Sequence, residues 1–372
     1  MSPLVFLKGQ IFCYRIFDIA DEIDLEKART VLTTDVRRLK LSREGSQYLE
    51  LPNPPLAIEL GGRSLTLHGE EVAVDAVARV FDHGAASIIL KVPIPPGTEL
   101  EELIPIADEL YDSRHVDQTS LELLEGLRRA LAPASEGRHL WDQSESYTVI
   151  FAEQLQENPT AKEIQDRPEL ARLLLGEVER ESLSDYERNE VTQHRFSYRE
   201  SDLAIIDWNS AFVYEPSGSL DIPDILEICN AQLLELRFYD NLLDANIGRI
   251  YAEVQRKRRR WYSIFRSPYN FLARRVLATM IEMSEFVERV ENSLKIIGDF
   301  YLAKVYEAAL RRLRIPVWQA TVTRKQQLLA QVYEWLKGEV DINRSLTLEF
   351  IVVVLIVTEL LLAIVSILSR RG

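Results

Sequence analysis

The feature that most limits how this chain can fold is a run of nineteen residues near its C-terminus, FIVVVLIVTELLLAIVSIL, Phe350 to Leu368. It is apolar around the whole circumference of a helix, whereas a helix at the surface of a soluble core carries a polar stripe. A helix of that length rises about 28 Å, close to the hydrocarbon thickness of a bilayer. One carboxylate, Glu359, stands at its centre. Fifteen of the residues are Phe, Ile, Leu or Val. At roughly 0.3 to 0.6 kcal/mol each they favour insertion by several kcal/mol, against about 3 kcal/mol for one central acid. The run therefore predicts one C-terminal transmembrane helix over residues 346–369. With Ser369, Arg370, Arg371 and Gly372 after it, it reads as a tail anchor.

Glu359 needs a partner or a proton at that depth. Thr358 is adjacent and faces away, while Ser366 returns to the same face too far along for a direct bond. A protonated Glu359 opposite the same residue of a neighbouring copy would hydrogen-bond across a helix pair, making it the candidate residue for transmembrane association. The plainer alternative is a neutral, tolerated acid without a role. A proton relay is a poor fit to a single span with a single acid.

The amino-terminal stretch MSPLVFLKGQIFCYRIF carries Lys8 within its apolar part and has neither a basic leader nor a small-residue cleavage site. It reads as a strand and not as a secretory signal, so the bulk of the chain is expected in the cytoplasm. Arg324, Lys325, Lys337 and Arg344 before the anchor outnumber Arg370 and Arg371 after it, in keeping with positive-inside orientation. Cys13 and Cys229 are far apart and read as buried small hydrophobes in a reducing compartment.

At 372 residues, 47% hydrophobic and 27% charged, the chain can bury a sizeable core. Its net charge of -14 argues against the whole molecule coating nucleic acid, but the charge is unevenly spread. The stretch RKRRRWYSIFRSPYNFLARR, residues 256–275, holds eight basic residues and no acidic ones, which leaves -22 for the rest. The candidate binding residues are Arg256, Lys257, Arg258, Arg259, Arg260, Trp261, Phe265, Arg266, Arg274 and Arg275. A basic segment with interleaved aromatics can lie on anionic lipid headgroups, stack on single-stranded RNA, or be a solvated tip.

Helical patterning begins at Asp221, a candidate N-cap followed by Pro223. Leu226, Cys229, Leu233, Leu236, Leu243, Ile247, Ile250 and Val254 keep three-four spacing, with Asp240 the polar slot in the seam. A second helix reads without a gap from Met280 through Met283, Val287, Val290, Leu294 and Ile297 to Tyr301, ending before Pro316. A third carries Leu329, Val332 and Leu336 and runs into the anchor. Packing within one chain explains these stripes more simply than a partner groove. If the helices run up, down and up, spans of about 52 Å and 51 Å bring the basic tip to the membrane surface.

Residues 1–215 alternate β-rich and helical runs. QIFCYRIFDIA, SLTLHG, VAVDAVARVFDHGAASIILKVPIP and ESYTVIFAEQL read as strands, with Asp82-His83-Gly84 at a hairpin turn. ELEELIPIADELY, TSLELLEGLRRALA and PELARLLLGEVERE read as helices, and SDLAIIDWNSAFVYEP as a strand or strand pair. The mix predicts an α+β domain. His68, His83, His115, His139 and His194 lack metal-ligand spacing, there is no Cys-x-x-Cys pair or phosphate-binding glycine loop, and Gly61-Gly62 reads as turn material. No metal, cofactor or catalytic site is expected.

The FDHG hairpin, the IIDWNSAFVYEP strand, the helix NAQLLELRFYDNLLD and the closing VDINRSLTLEFIVVVLIVTEL resemble the "required for meiotic nuclear division" family, with Glu349 and Glu359 at family-like positions. The resemblance implies a membrane-tethered, non-enzymatic, oligomerising protein. Without an Arg/Ser-rich transit peptide, a bacterial cytoplasmic membrane is expected over a mitochondrial one. The whole then reads as an α+β cytosolic domain (1–215), an antiparallel, coiled-coil-like helical stalk (221–345) with its basic tip, and the anchor. The expected function is a self-associating, non-catalytic membrane scaffold; the alternative is a tether that binds RNA or ribosomes through the tip.

Overall fold

A computed structural model describes residues 2–32, 36–38, 43–44, 47–50, 53–137, 141–179, 183–258, 269–291, 295–297 and 300–369. The β-branched and aromatic run QIFCYRIFD falls in strand β1, Phe6–Asp18; β2, Glu22–Ile23, and helix α1, Leu25–Val31, follow. Strands β3 (Val36–Arg38), β4 (Arg43–Glu44), β5 (Gln47–Glu50), β6 (Leu56–Leu67), β7 (Glu70–Val80) and β8 (Ala85–Ile94) lead to α2 (Leu100–Tyr111) and α3 (Arg114–Leu131). Then come β9 (Ser135–Glu136), β10 (Ser144–Leu155), α4 (Ala161–Gln165), α5 (Pro168–Leu175), α6 (Asp185–Val191), β11 (Arg195–Phe196), β12 (Leu203–Ile206) and β13 (Ser210–Tyr214). The helical half holds α7 (Asp221–Arg258), α8 (Asn270–Glu291), a short β14 (Lys295–Ile297), α9 (Phe300–Arg312) and α10 (Ile315–Ser369).

Among the described residues a nine-stranded sheet runs β11-β12-β13-β10-β1-β8-β7-β6-β3. Its pairings are antiparallel except for β10 with β13. Period-two alternation along β1 sends Ile11 and Cys13 to one face, where α2 and α3 pack. Arg15 on that face reaches Asp117 of α3 at 2.6 Å and the Leu110 carbonyl of α2 at 3.2 Å. The other face, which carries Tyr14 and Arg79, meets the first turns of α7 through Asp224 and Glu227. From Ile222 to Leu236 that helix is buried all round, so its polar residues must be satisfied inside the protein. Asn230 donates to the Leu226 carbonyl at 2.8 Å, and Gln232 bonds the Tyr306 hydroxyl of α9 at 3.2 Å.

The amino-terminal part is thus rich in sheet and is followed by helices that end in one long apolar helix. Two local readings are corrected. Gly61-Gly62 is no turn but lies inside β6, where the ladder with β7 shifts register between Glu59 and Gly61; Gly61, at φ +81°, takes a backbone position that a side chain resists. The helix expected to run unbroken from Met280 to Tyr301 stops at Glu291, and β14 pairs with β5 before α9 begins. Here tertiary strand pairing overrides a continuous three-four pattern. Pro316 follows directly on the first residue of α10, a position where a missing N–H costs nothing.

The chain divides into two compact units, Met1–Phe238 with Arg289–Gln319, and Tyr239–Glu288 with Ala320–Gly372. The first takes in the start of α7 and all of α9.

Candidate functional site

In the first unit the FDHG segment forms the turn between β7 and β8. Burial alone would favour the neutral form of Asp82, but hydrogen bonds from His83 and from Asn53 (2.7 Å) hold its carboxyl below the usual range. The Asp82 carbonyl accepts from Ile23 N at 2.8 Å. These contacts give the segment a structural role at the turn.

Two buried ion-pair clusters escaped sequence reasoning because each joins residues more than a hundred positions apart. In the first, Arg79 Nη1 lies 2.6 Å from Asp224 Oδ1 and also contacts Glu227 Oε2. Burial pushes Glu227 up to about 6 against the opposing pull of Arg79, and raises Asp224. Burial followed by the Glu227 charge drives Tyr14 far above its ordinary value. In the second, Arg312 of α9 clasps the fully buried Asp207, with Nε 2.8 Å from Oδ1, and reaches Glu190 at 3.2 Å. Tyr147 Oη stands 2.9 Å and 2.7 Å from the carbonyls of Asp207 and Ser210 and steadies that turn. Burial, then Arg312 and Arg311, hold His194 below its ordinary value. Both clusters tie elements together across long loops. Among the described residues no group of three His, Cys, Asp or Glu is arranged for a metal ion; His139 lies outside them.

In the second unit every residue from Phe350 to Ile364 is exposed. Leu360, Leu361 and Leu362 are 58%, 55% and 69% accessible, and each such side chain left in water forgoes about 1.5 to 3 kcal/mol of burial. The helix is long and apolar enough to cross a membrane. The Thr358 hydroxyl donates to its own helix, 2.5 Å from the Val354 carbonyl and 3.0 Å from that of Leu355, so it does not serve Glu359.

The basic segment is only partly described. Arg256, Lys257 and Arg258 form the last turn of α7, while Arg259, Arg260, Trp261, Phe265 and Arg266 fall outside the described residues. Arg274 and Arg275 are exposed near the start of α8, with Arg275 3.9 Å from Glu253. Asp240 is paired: Lys325 of α10 lies 2.6 Å from it and 2.7 Å from Asp244. Leu243 and Ile250 on α7, and Val322, Leu329 and Leu336 on α10, are buried at seven-residue spacing. Tyr269 meets Trp335 edge to face at 5.7 Å. From Trp335 the helix rises about 22 Å to Phe350.

A family model, "Uncharacterized protein MJ0711, N-terminal domain", matches residues 8–220. The chain belongs to this family. The match runs from β1 to the brink of α7 and holds Arg79, Asp207 and the FDHG turn. The anchor and the basic segment lie beyond it. The uncharacterized protein MJ0711 of the archaeon Methanocaldococcus jannaschii is 26% identical over 225 residues, 60% of this chain and 67% of that one. No solved structure matches. The comparisons give no support to the "required for meiotic nuclear division" family; of the segments that carried that resemblance, the helix NAQLLELRFYDNLLD and the closing VDINRSLTLEFIVVVLIVTEL lie beyond the matched residues 8–220. The relative is archaeal, so a bacterial origin is not supported either.

Proposed function

We propose that the chain is a single-span, self-associating membrane scaffold without catalytic activity. Its sheet domain lies on the cytoplasmic side of the cytoplasmic membrane, and its helices form an antiparallel, coiled-coil-like stalk. The observation that carries this reading is the apolar run, exposed from Phe350 to Ile364, with one central acid, Glu359. A bilayer covers the first, and a second copy of the chain satisfies the second.

The basic segment 256–275 supplies a second membrane contact through anionic headgroups. What supports it is the composition of the segment, eight basic residues and no acidic one interleaved with aromatic side chains. Each Lys or Arg near an anionic leaflet contributes about 1 kcal/mol. The second reading, an RNA or ribosome tether through Arg256 to Arg260 with Trp261 and Phe265, rests on the same charge excess.

Extraction and sizing test the first part. The full chain should resist carbonate extraction and run as an oligomer in mild detergent; Glu359→Gln should keep that size and Glu359→Leu should reduce it. A protein released by carbonate, or equal sizes for all three, would sink the scaffold. Hydrogen exchange across residues 256–275 in nanodiscs decides the tip. Protection with anionic lipid alone supports the headgroup contact, whereas salt-sensitive RNA retention without such protection moves the tether to first place.

A further inference from the structure

A cavity of about 130 Å³ lies within the first unit, between the sheet and the start of α7. That is close to the roughly 150 Å³ known to hold one benzene. Phe12, Val77, Ile89 and Pro223 give it apolar walls. Tyr14, Arg79, Lys91 and Glu59 also line it, and each has bonding capacity that the protein leaves unused. Arg79 Nε is buried without an acceptor among the described residues. Lys91, Glu59 and the Tyr14 hydroxyl make no hydrogen bond or ion pair there. A few convergent polar groups in an apolar hollow are what a small-molecule site consists of.

We infer that this cavity binds a small zwitterion of amino-acid size, with its carboxylate toward Lys91 and Arg79 and its ammonium toward Glu59. The charges select this class. Asp224 and Glu227 already neutralise Arg79, so a multiply charged anion such as phosphate would meet three carboxylates with little cationic surplus. A bare amine would answer Glu59 but leave Lys91 without an anionic partner. Glu59 on β6 stands level with Val77 of β7, and Lys91 on β8 level with Asp75, so their Cα atoms lie two ladder spacings across the sheet and two residues along it, roughly 12 Å apart, and both side chains line the cavity. A molecule with both charges a few bonds apart spans that gap.

Equilibrium dialysis of the full chain in detergent, with labelled glycine, alanine, serine and proline as probes, tests the inference free of osmolyte effects on stability. At least one probe should bind saturably at millimolar concentration or below, while acetate, ethylamine and inorganic phosphate bind at least about tenfold more weakly. Lys91→Met and Glu59→Gln alter residues outside the buried ion pair and should fold; each should weaken binding about tenfold. Absence of saturable binding by all four probes, preference for phosphate, or binding unchanged in both variants would overturn the inference.

Discussion

Alanine at Gly84 and alanine at Gly97 form a matched pair that isolates one contact. Both glycines have a strongly positive φ, +99° and +94°, so each substitution carries a conformational cost of about 1 to 3 kcal/mol. Their surroundings differ. A Cβ on Gly97 meets nothing within 4 Å, whereas one on Gly84 would sit 1.8 Å from the Ala20 carbonyl oxygen. That oxygen belongs to the backbone and cannot swing aside. The Ala20–Asp21 peptide is held by Asp21 N bonding the Glu136 carbonyl at 3.0 Å, and its neighbour by Ile19 N bonding the Gly84 carbonyl at 3.1 Å. Moving it forfeits these bonds at about 1 kcal/mol each, and overpacking adds about 1 to 3 kcal/mol. Gly84→Ala should therefore lose about 3 to 5 kcal/mol beyond the loss in Gly97→Ala. Urea denaturation of both full-length variants in the same micelles, followed by tryptophan fluorescence, measures the difference. Equal loss in the two, within about 1 kcal/mol, would refute the steric reasoning and leave backbone conformation as the whole effect.

Glu227 titrates higher folded, at about 6, than its ordinary 4.5; the folded state then binds more protons between those values, and stability should fall as pH rises through them. Glu227→Gln should flatten that slope, and an unaltered profile would count against the shift. Arg312→Met strands the buried Asp207 charge and should cost about 3 to 5 kcal/mol, while His194 moves up toward its ordinary value in an NMR titration; a stationary His194 would show that burial alone holds it down. Cys13, pushed up to about 12 by burial, and the buried Cys229 should resist alkylation at neutral pH in the folded chain and react once it is unfolded. Rapid labelling of either in the native protein would contradict its packing.

Elements whose period is local were legible in the sequence. The runs QIFCYRIFD and ASIILKVPI, rich in β-branched and aromatic residues, the FDHG turn and the unbroken apolar run became two strands, a turn and part of a helix. Features decided by distant partners were not. A double glycine reads as a turn until β7 is laid beside it, and a continuous helical stripe gives no hint that β5 will claim residues 295–297. The buried ion pairs were the least visible. Glu227 sits in an ordinary helical pattern, and only its burial against Arg79, 148 positions away, separates it from any solvated glutamate. The cavity groups Tyr14, Glu59 and Lys91 lie on three strands whose order no local pattern reveals.

The sheet-bearing unit closes late. Its Gln232 bonds Tyr306 and its Asp207 is paired by Arg312, so it cannot be finished until α9 has left the ribosome. Arg312 precedes Phe350 by 38 positions, an interval of roughly 2 to 8 s at the usual rates of synthesis. Closure of the sheet-bearing unit and emergence of the long apolar helix therefore fall within the same few seconds of synthesis.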